Sequence, residues 1–185
     1  MKTCLLVIDV QESFRRRPYF TEHDLPAYLT AQNALIVAAQ TARTHIVRIF
    51  HVDGPRSPDN AFALESGEVR PLDGLAPFDA AATFHKSRHS ALVGTGLEVW
   101  LHQQGIQRLV VSGIRTEQCC ETTTRHASDL GFTVDFVVDA TLTFDMQQPD
   151  GRPLLAADIR SRTATVLKDR FARIASVEQA CEVLS

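Results

Sequence analysis

The chain is short of several features that would settle its class at once. No apolar run approaches the ~20 residues needed to cross a bilayer, so a membrane-spanning helix is excluded. The formal net charge is −3 with no basic excess, which argues against a nucleic-acid partner. The four cysteines, Cys4, Cys119, Cys120 and Cys181, form no CxxC pair and no Cys/His spacing typical of zinc. Adjacent cysteines rarely make a good disulfide, so a reducing, cytoplasmic setting fits best. There is no internal repeat and no low-complexity segment. The start resembles a signal peptide, but its apolar stretch is short and meets Asp9 with no small-residue cleavage site. It reads as a first strand.

What is present is an alternation. With 185 residues the chain reads as one domain, 1–185, large enough for a substantial core. Apolar runs predict strands at 4–8, 45–51, 82–86, 109–112, 132–138 and 163–167. Helical spacing covers about 25–43, with Pro26 in its first turn, then 95–104, 116–130 and 153–161. Ser176 is placed to cap a last helix. Strands alternating with helices imply βαβ units and a mainly parallel sheet covered on both faces. Residues 53–80 hold most of the prolines and glycines. A loop of that length is usually functional or assembly-related.

The stretch from 109 to 124 organises the rest. A β-branched run ends at Gly113, and Thr116 offers a hydroxyl where a helix needs an N-cap. Cys119 and Cys120 follow in the first turn, where unpaired N–H groups and the helix dipole favour thiolate. At 100° per residue, Cys120, Thr124, Ala127 and Leu130 form one apolar stripe suited to lying on a sheet. Cys119 points elsewhere, nearer the strand end, and is the better nucleophile. The plainer alternative is that both are small core residues.

Ligands in open parallel sheets bind beyond the carboxyl ends of the strands. Asp9 follows the first strand, Lys86 ends the third and Cys119 follows the fourth, so an acid, an amine and a thiol converge on one edge. Alone, an Asp there is often a turn residue and a Lys a solvated charge.

These residues resemble the isochorismatase-like cysteine hydrolases, a family that includes nicotinamidases and N-carbamoylsarcosine amidohydrolases. Asp9, Gln11 and Phe14 match an opening D-x-Q-x-x-F. Lys86, Ser90, Ala91 and Leu92 resemble K-x-x-x-S-A-F, with Leu for Phe. Thr95, Leu97 and Leu101 match T-x-L-x-x-x-L, and Gly113, Thr116 and Cys119 match G-x-x-T-x-x-C. Asp139-Ala140 and Phe171-Ala172 also fit.

The resemblance implies a three-layer α/β/α sandwich around a six-stranded, mainly parallel, Rossmann-like sheet. It implies an Asp9-Lys86-Cys119 triad, a cis peptide between Ile114 and Arg115, and an oxyanion hole from the backbone N–H groups of Arg115 and Cys119. Asp9 would exchange protons, Lys86 would hold Asp9 ionised, and Cys119 would attack an amide, ureido or related carbonyl of a small-molecule substrate. Gln11, Phe14 and Arg115 become substrate-binding candidates. A homo-oligomer is also implied.

There are departures. Nicotinamidases carry a metal site with Asp-x-His after the second strand. Here the order is His51-Val52-Asp53, which reads as a strand-end histidine and a turn aspartate. No metal and no cofactor are expected, nor nicotinamidase activity itself. Arg115 stands where the family tends to be small or apolar. Its side chain either enters the pocket, where it could pair with a substrate carboxylate, or points outward. Two competing readings are a non-catalytic binding or scaffold member of the same fold, and a redox protein using Cys119 and Cys120. The latter is weak because neighbouring helical thiols point apart.

Overall fold

The structure is a computed structural model that describes residues 1–185. Strand β1 (Thr3–Ile8) lies at the centre of a six-stranded sheet. It pairs in parallel with β2 (His45–His51) on one side and β4 (Arg108–Ile114) on the other. Outward from these lie β3 (Ala82–Lys86) beside β2, then β5 (Thr133–Leu142) beside β4. A sixth strand at the far edge (Arg173–Ile174) pairs with β5, giving an all-parallel sheet. The chain runs outward from β1 through β2 to β3, then crosses back to β4. The switch in direction therefore falls between β1 and β4, and the carboxyl ends of strands at such a switch are where open parallel sheets bind ligands.

Burial on both faces explains the unbroken apolar run of β1. Leu5 and Val7 join one core with helix α1 (Leu25–Thr41). Cys4, Leu6 and Ile8 join the opposite core with α2 (Leu97–Gln103) and α3 (Glu121–Asp129). All six residues of β1 are buried, as period-2 alternation between two apolar layers requires. The last helix (Val177–Leu184) packs beside α1, and Ser176 caps it in a reciprocal capping box with Gln179.

The expected strand at 163–167 is absent. A helix runs from Ala156 to Leu167, and the sixth strand is the short Arg173–Ile174. Thr163, Thr165 and Val166 have strand propensity, but Ala156, Ile159, Thr163 and Leu167 are the buried positions, at spacings of three and four. Thr163 also donates to the buried carboxylate of Glu121 at 3.0 Å, so helical packing overrides local preference. Two residues expected to end elements do other work. Gly113 lies inside β4, and Thr116 does not cap its helix but donates to Thr141 Oγ1 at 2.8 Å.

Between β2 and β3 the long segment 53–80 forms one 3-10 turn, Leu64–Ser66, and otherwise wraps the sheet edge. Phe62, Leu72 and Phe78 anchor it in the core.

Candidate active site

Gly113 sets the site's dimensions. It faces Ile8 across the β1–β4 ladder, and a Cβ there would lie 2.0 Å from the Ile8 carbonyl oxygen. Only glycine permits that approach. Beyond it, Asp9 turns off β1 with φ of 53°, its N–H donating to the Ile49 carbonyl at 2.8 Å. A left-handed backbone is uncommon outside glycine, though Asp tolerates it better than most. The carboxyl group is thereby held under the end of β4. After Ile114, whose peptide bond to Arg115 is cis, the chain makes one π-type turn over Thr116–Cys120 before entering α3. That turn carries Cys119 back over the strand ends.

Lys86 reaches in from β3. Its Nζ lies 2.6 Å from Asp9 Oδ2 and 3.2 Å from Cys119 Sγ. It is also 3.0 Å from His51 Nδ1 and 3.1 Å from the Arg88 carbonyl oxygen. Besides the Lys86 ammonium, the Cys119 thiol is the side chain that reaches the Asp9 carboxylate, and no backbone N–H does. An Asp9 oxygen, a His51 ring nitrogen and Cys119 Sγ lie within 4.8 Å of one another. Such a trio has the chemistry of a metal cradle. The Lys86 ammonium stands within hydrogen-bond reach of all three, however, and its charge opposes a cation there.

Burial dominates the electrostatics. It raises the Asp9 pKa above the ordinary value, against the pull of Lys86. Burial alone would lower Lys86, but Asp9 and then Cys119 raise it overall. The Cys119 thiol is pushed up to about 12 by burial and by the Asp9 charge, with Lys86 opposing. This corrects the thiolate expected from a helix N-terminus. The resting cysteine is a thiol beside a base, because desolvation of the anion outweighs the nearby ammonium. His51 is lowered to about 4 by burial and by Lys86, so it is neutral.

Cys119 is 6% exposed and Cys120 fully buried. Cys119 lines a cavity of about 150 Å³ together with Phe14, Arg17, Tyr19, His51, Asp53 and others. Of the stripe read from the sequence, Cys120, Thr124 and Ala127 are fully buried and Leu130 is half-buried. All four cysteines are free.

The other candidates divide. Phe14 lines the cavity and packs edge-on against Phe62, ring centroids 5.3 Å apart. Gln11 is fully buried and outside the cavity wall. Its Nε2 donates to Ser13 Oγ (2.9 Å) and to the His51 carbonyl (3.0 Å), and its Oε1 accepts the His51 N–H (2.7 Å). Its amide therefore holds the end of β2, with both N–H donors used and the side chain fully buried. The Arg115 side chain takes neither course open to it in the sequence. It is buried, 3.0 Å from Glu117 Oε1, with its guanidinium over the Tyr19 ring. Its backbone N–H meets no acceptor in the protein.

Sequence reasoning missed His51 as a partner of Lys86. The two are paired in register at the ends of β2 and β3. The available signal was that Asp9, His51 and Lys86 each stand at or just past a strand's last residue. Asp53 is the turn aspartate expected, its Oδ1 accepting the Gly54 N–H at 2.8 Å.

No helix is long and apolar enough to cross a membrane. Residues 3–177 match the family model for the isochorismatase domain. The isochorismatase family protein YrdC of Bacillus subtilis is 29% identical over 178 residues, 96% of this chain and 94% of that protein. Nicotinamidase 3 of Arabidopsis thaliana is 43% identical over a shorter 60 residues, 32% of this chain and 30% of that one. Among solved structures, an isochorismatase-family protein from Chromobacterium violaceum superposes with a TM-score of 0.89 at 26% identity, covering 99% of this chain and 93% of that one. The strand order, the domain match over nearly the whole length and these likenesses agree: the chain belongs to the isochorismatase family of hydrolases.

Proposed function

We propose that the protein hydrolyses a non-peptide C–N bond of a small amide, ureide or related molecule through a covalent thioester on Cys119. The observation that carries this reading is one ammonium, Lys86, within 2.6 Å of a carboxylate and 3.2 Å of a thiol at the floor of a small cavity. The likeness to a nicotinamidase, an amide hydrolase by name, supports the bond type.

Asp9 takes the Cys119 proton as the sulfur attacks the carbonyl carbon. Lys86 has three N–H protons and four acceptors within 3.2 Å. While Cys119 is a thiol, Lys86 donates to Asp9, His51 and the Arg88 carbonyl. Once Asp9 carries the proton, its claim on Lys86 weakens and that N–H turns to the sulfur. The ammonium thus follows the negative charge without moving far. The backbone N–H groups of Arg115 and Cys119 receive the oxyanion; the Arg115 N–H has no competing acceptor. Asp9 returns its proton to the leaving nitrogen, then activates water to release the acid. Four free cysteines support a reducing, cytoplasmic setting.

The test is Cys119→Ala, assayed for ammonia or amine release from a panel of small amides and ureides. Loss of all turnover with an unchanged unfolding midpoint supports the reading. Wild-type turnover by that variant overturns it.

A further inference from the structure

Residues 15, 16 and 17 are consecutive arginines, and two have partners. Arg15 pairs with Glu12 and Glu22, and Arg16 with Glu68. Arg17 faces no carboxylate within ion-pair distance. Its guanidinium carbon instead lies 4.3 Å from the centroid of Phe62, a buried ring, and its side chain forms part of the cavity wall that ends on Cys119. Stacking on an aromatic face orders a guanidinium while leaving its N–H fork unspent.

The rest of the wall agrees. His51 Nδ1 lies 3.0 Å from the Lys86 ammonium, which can only donate, so the proton of the neutral imidazole is on Nε2. No protein acceptor takes that N–H, and His51 lines the same cavity. Phe14, Tyr19 and Phe62 supply apolar surface. One acid, Asp53, also lines the wall, but its Oδ1 is turned back to the Gly54 N–H. The cavity therefore presents unspent donors at its rim and a nucleophile at its floor.

We infer that Arg17 is the specificity residue of this site and that the substrate is a small C–N compound bearing a carboxylate or similar anion. Arg17 grips the anion in bidentate fashion at the mouth while the scissile carbonyl rests on Cys119. This rests on the hydrolase reading above and names its substrate class. The carboxylate-binding part that the sequence offered to Arg115 falls to Arg17, because Arg115 is buried beside Glu117 and does not line the cavity, whereas Arg17 does.

Two alkylating reagents of nearly equal size separate the two ideas. Iodoacetate carries a carboxylate; iodoacetamide is neutral. Each forms an S–C bond as iodide leaves and the thiol proton passes to Asp9. The rates at Cys119 are read by peptide mass spectrometry and expressed as the ratio of iodoacetate to iodoacetamide, against the same ratio for glutathione. The expected wild-type ratio is at least tenfold above that of glutathione, falling at least fivefold in Arg17→Gln and less in Arg17→Lys. A ratio equal in wild type and Arg17→Gln overturns the assignment of Arg17 while leaving the hydrolase reading intact. Inertness of wild-type Cys119 to both reagents also overturns the assignment of Arg17, since no anion is then drawn to the sulfur, whereas the hydrolase reading stands or falls on turnover by Cys119→Ala.

Discussion

Lys86 Nζ lies 2.6 Å from Asp9 Oδ2, and neither side chain has any exposed surface. A buried ion pair of this kind adds little over a well-packed apolar pair, but halving it is costly. Lys86→Met leaves Asp9 alone in the core. The expected loss is about 3–5 kcal/mol of stability and at least ~100-fold in turnover, because Asp9 then holds its proton and ceases to be a base. Adding Asp9→Asn should restore much of the stability and none of the activity. Urea unfolding of both variants checks this; a Lys86→Met protein as stable as wild type would contradict it.

The acid side of the pH profile follows from Asp9. Burial raises its pKa above the ordinary value of 3.8, and only the ionised form can accept the Cys119 proton. Activity should therefore fall with decreasing pH through a midpoint above the usual carboxylate range, in kcat/KM measured between pH 3 and 8. A midpoint at or below 3.8 would mean that some other group sets the limb.

Stability carries a separate pH signature from His51. Its pKa is lowered from 6.5 to about 4 in the folded protein. A depressed pKa means the fold prefers the neutral ring. That stabilisation is complete above 6.5 and is lost as pH falls from 6.5 through about 4. Allowing for partial exposure, the term is on the order of 2 kcal/mol. His51→Asn keeps an acceptor for Lys86 but cannot titrate. The gap in unfolding free energy between wild type and this variant should shift against wild type between pH 7 and 4. Comparing the two proteins cancels the opposite trend from Asp9.

Most of the sheet was legible because β1, β2 and β4 hold apolar, β-branched runs bounded by polar or turn residues. The meeting of Asp9, Lys86 and Cys119 was legible because strand ends in parallel sheets gather on one edge. The errors share a cause: they depend on partners distant in sequence. Thr163 reads as strand until Glu121 is seen beside it. His51 reads as an isolated strand-end residue until the β2–β3 register sets it against Lys86. Arg17 drew no reading from the sequence, because only the partners of Arg15 and Arg16 single it out. The thiolate expected at Cys119 rested on local dipoles, whereas burial of the whole site decides its protonation.

Gly113→Ala tests the close approach of β4 to β1. The added methyl would sit 2.0 Å from the Ile8 carbonyl oxygen at a φ of +132°. Backbone cannot give way as a flexible side chain can, so a loss of about 3–5 kcal/mol is expected. For a chain of this size that lowers the melting temperature by about 10 °C or more. Gly131→Ala is the control. Its φ is also positive, at +88°, but nothing lies within 4 Å of the added carbon, so only the backbone term, about 1 kcal/mol, remains. Similar melting temperatures for the two variants would show that the strands can part at this point.

Gln11 separates positioning from substrate contact. Its amide meets the His51 N–H at 2.7 Å and the His51 carbonyl at 3.0 Å, and it does not line the cavity. Gln11→Met keeps the volume and strands both His51 backbone groups in a half-buried place. An unpaired buried group costs about 1–3 kcal/mol, so the variant should be measurably less stable. His51 and, through it, Lys86 would then be held less firmly, which lowers kcat while leaving KM within about twofold, since binding groups at the mouth are untouched. A residue that bound substrate would behave in the opposite way, with KM raised and the unfolding midpoint unchanged. Steady-state kinetics and urea unfolding on one variant therefore decide between the two roles.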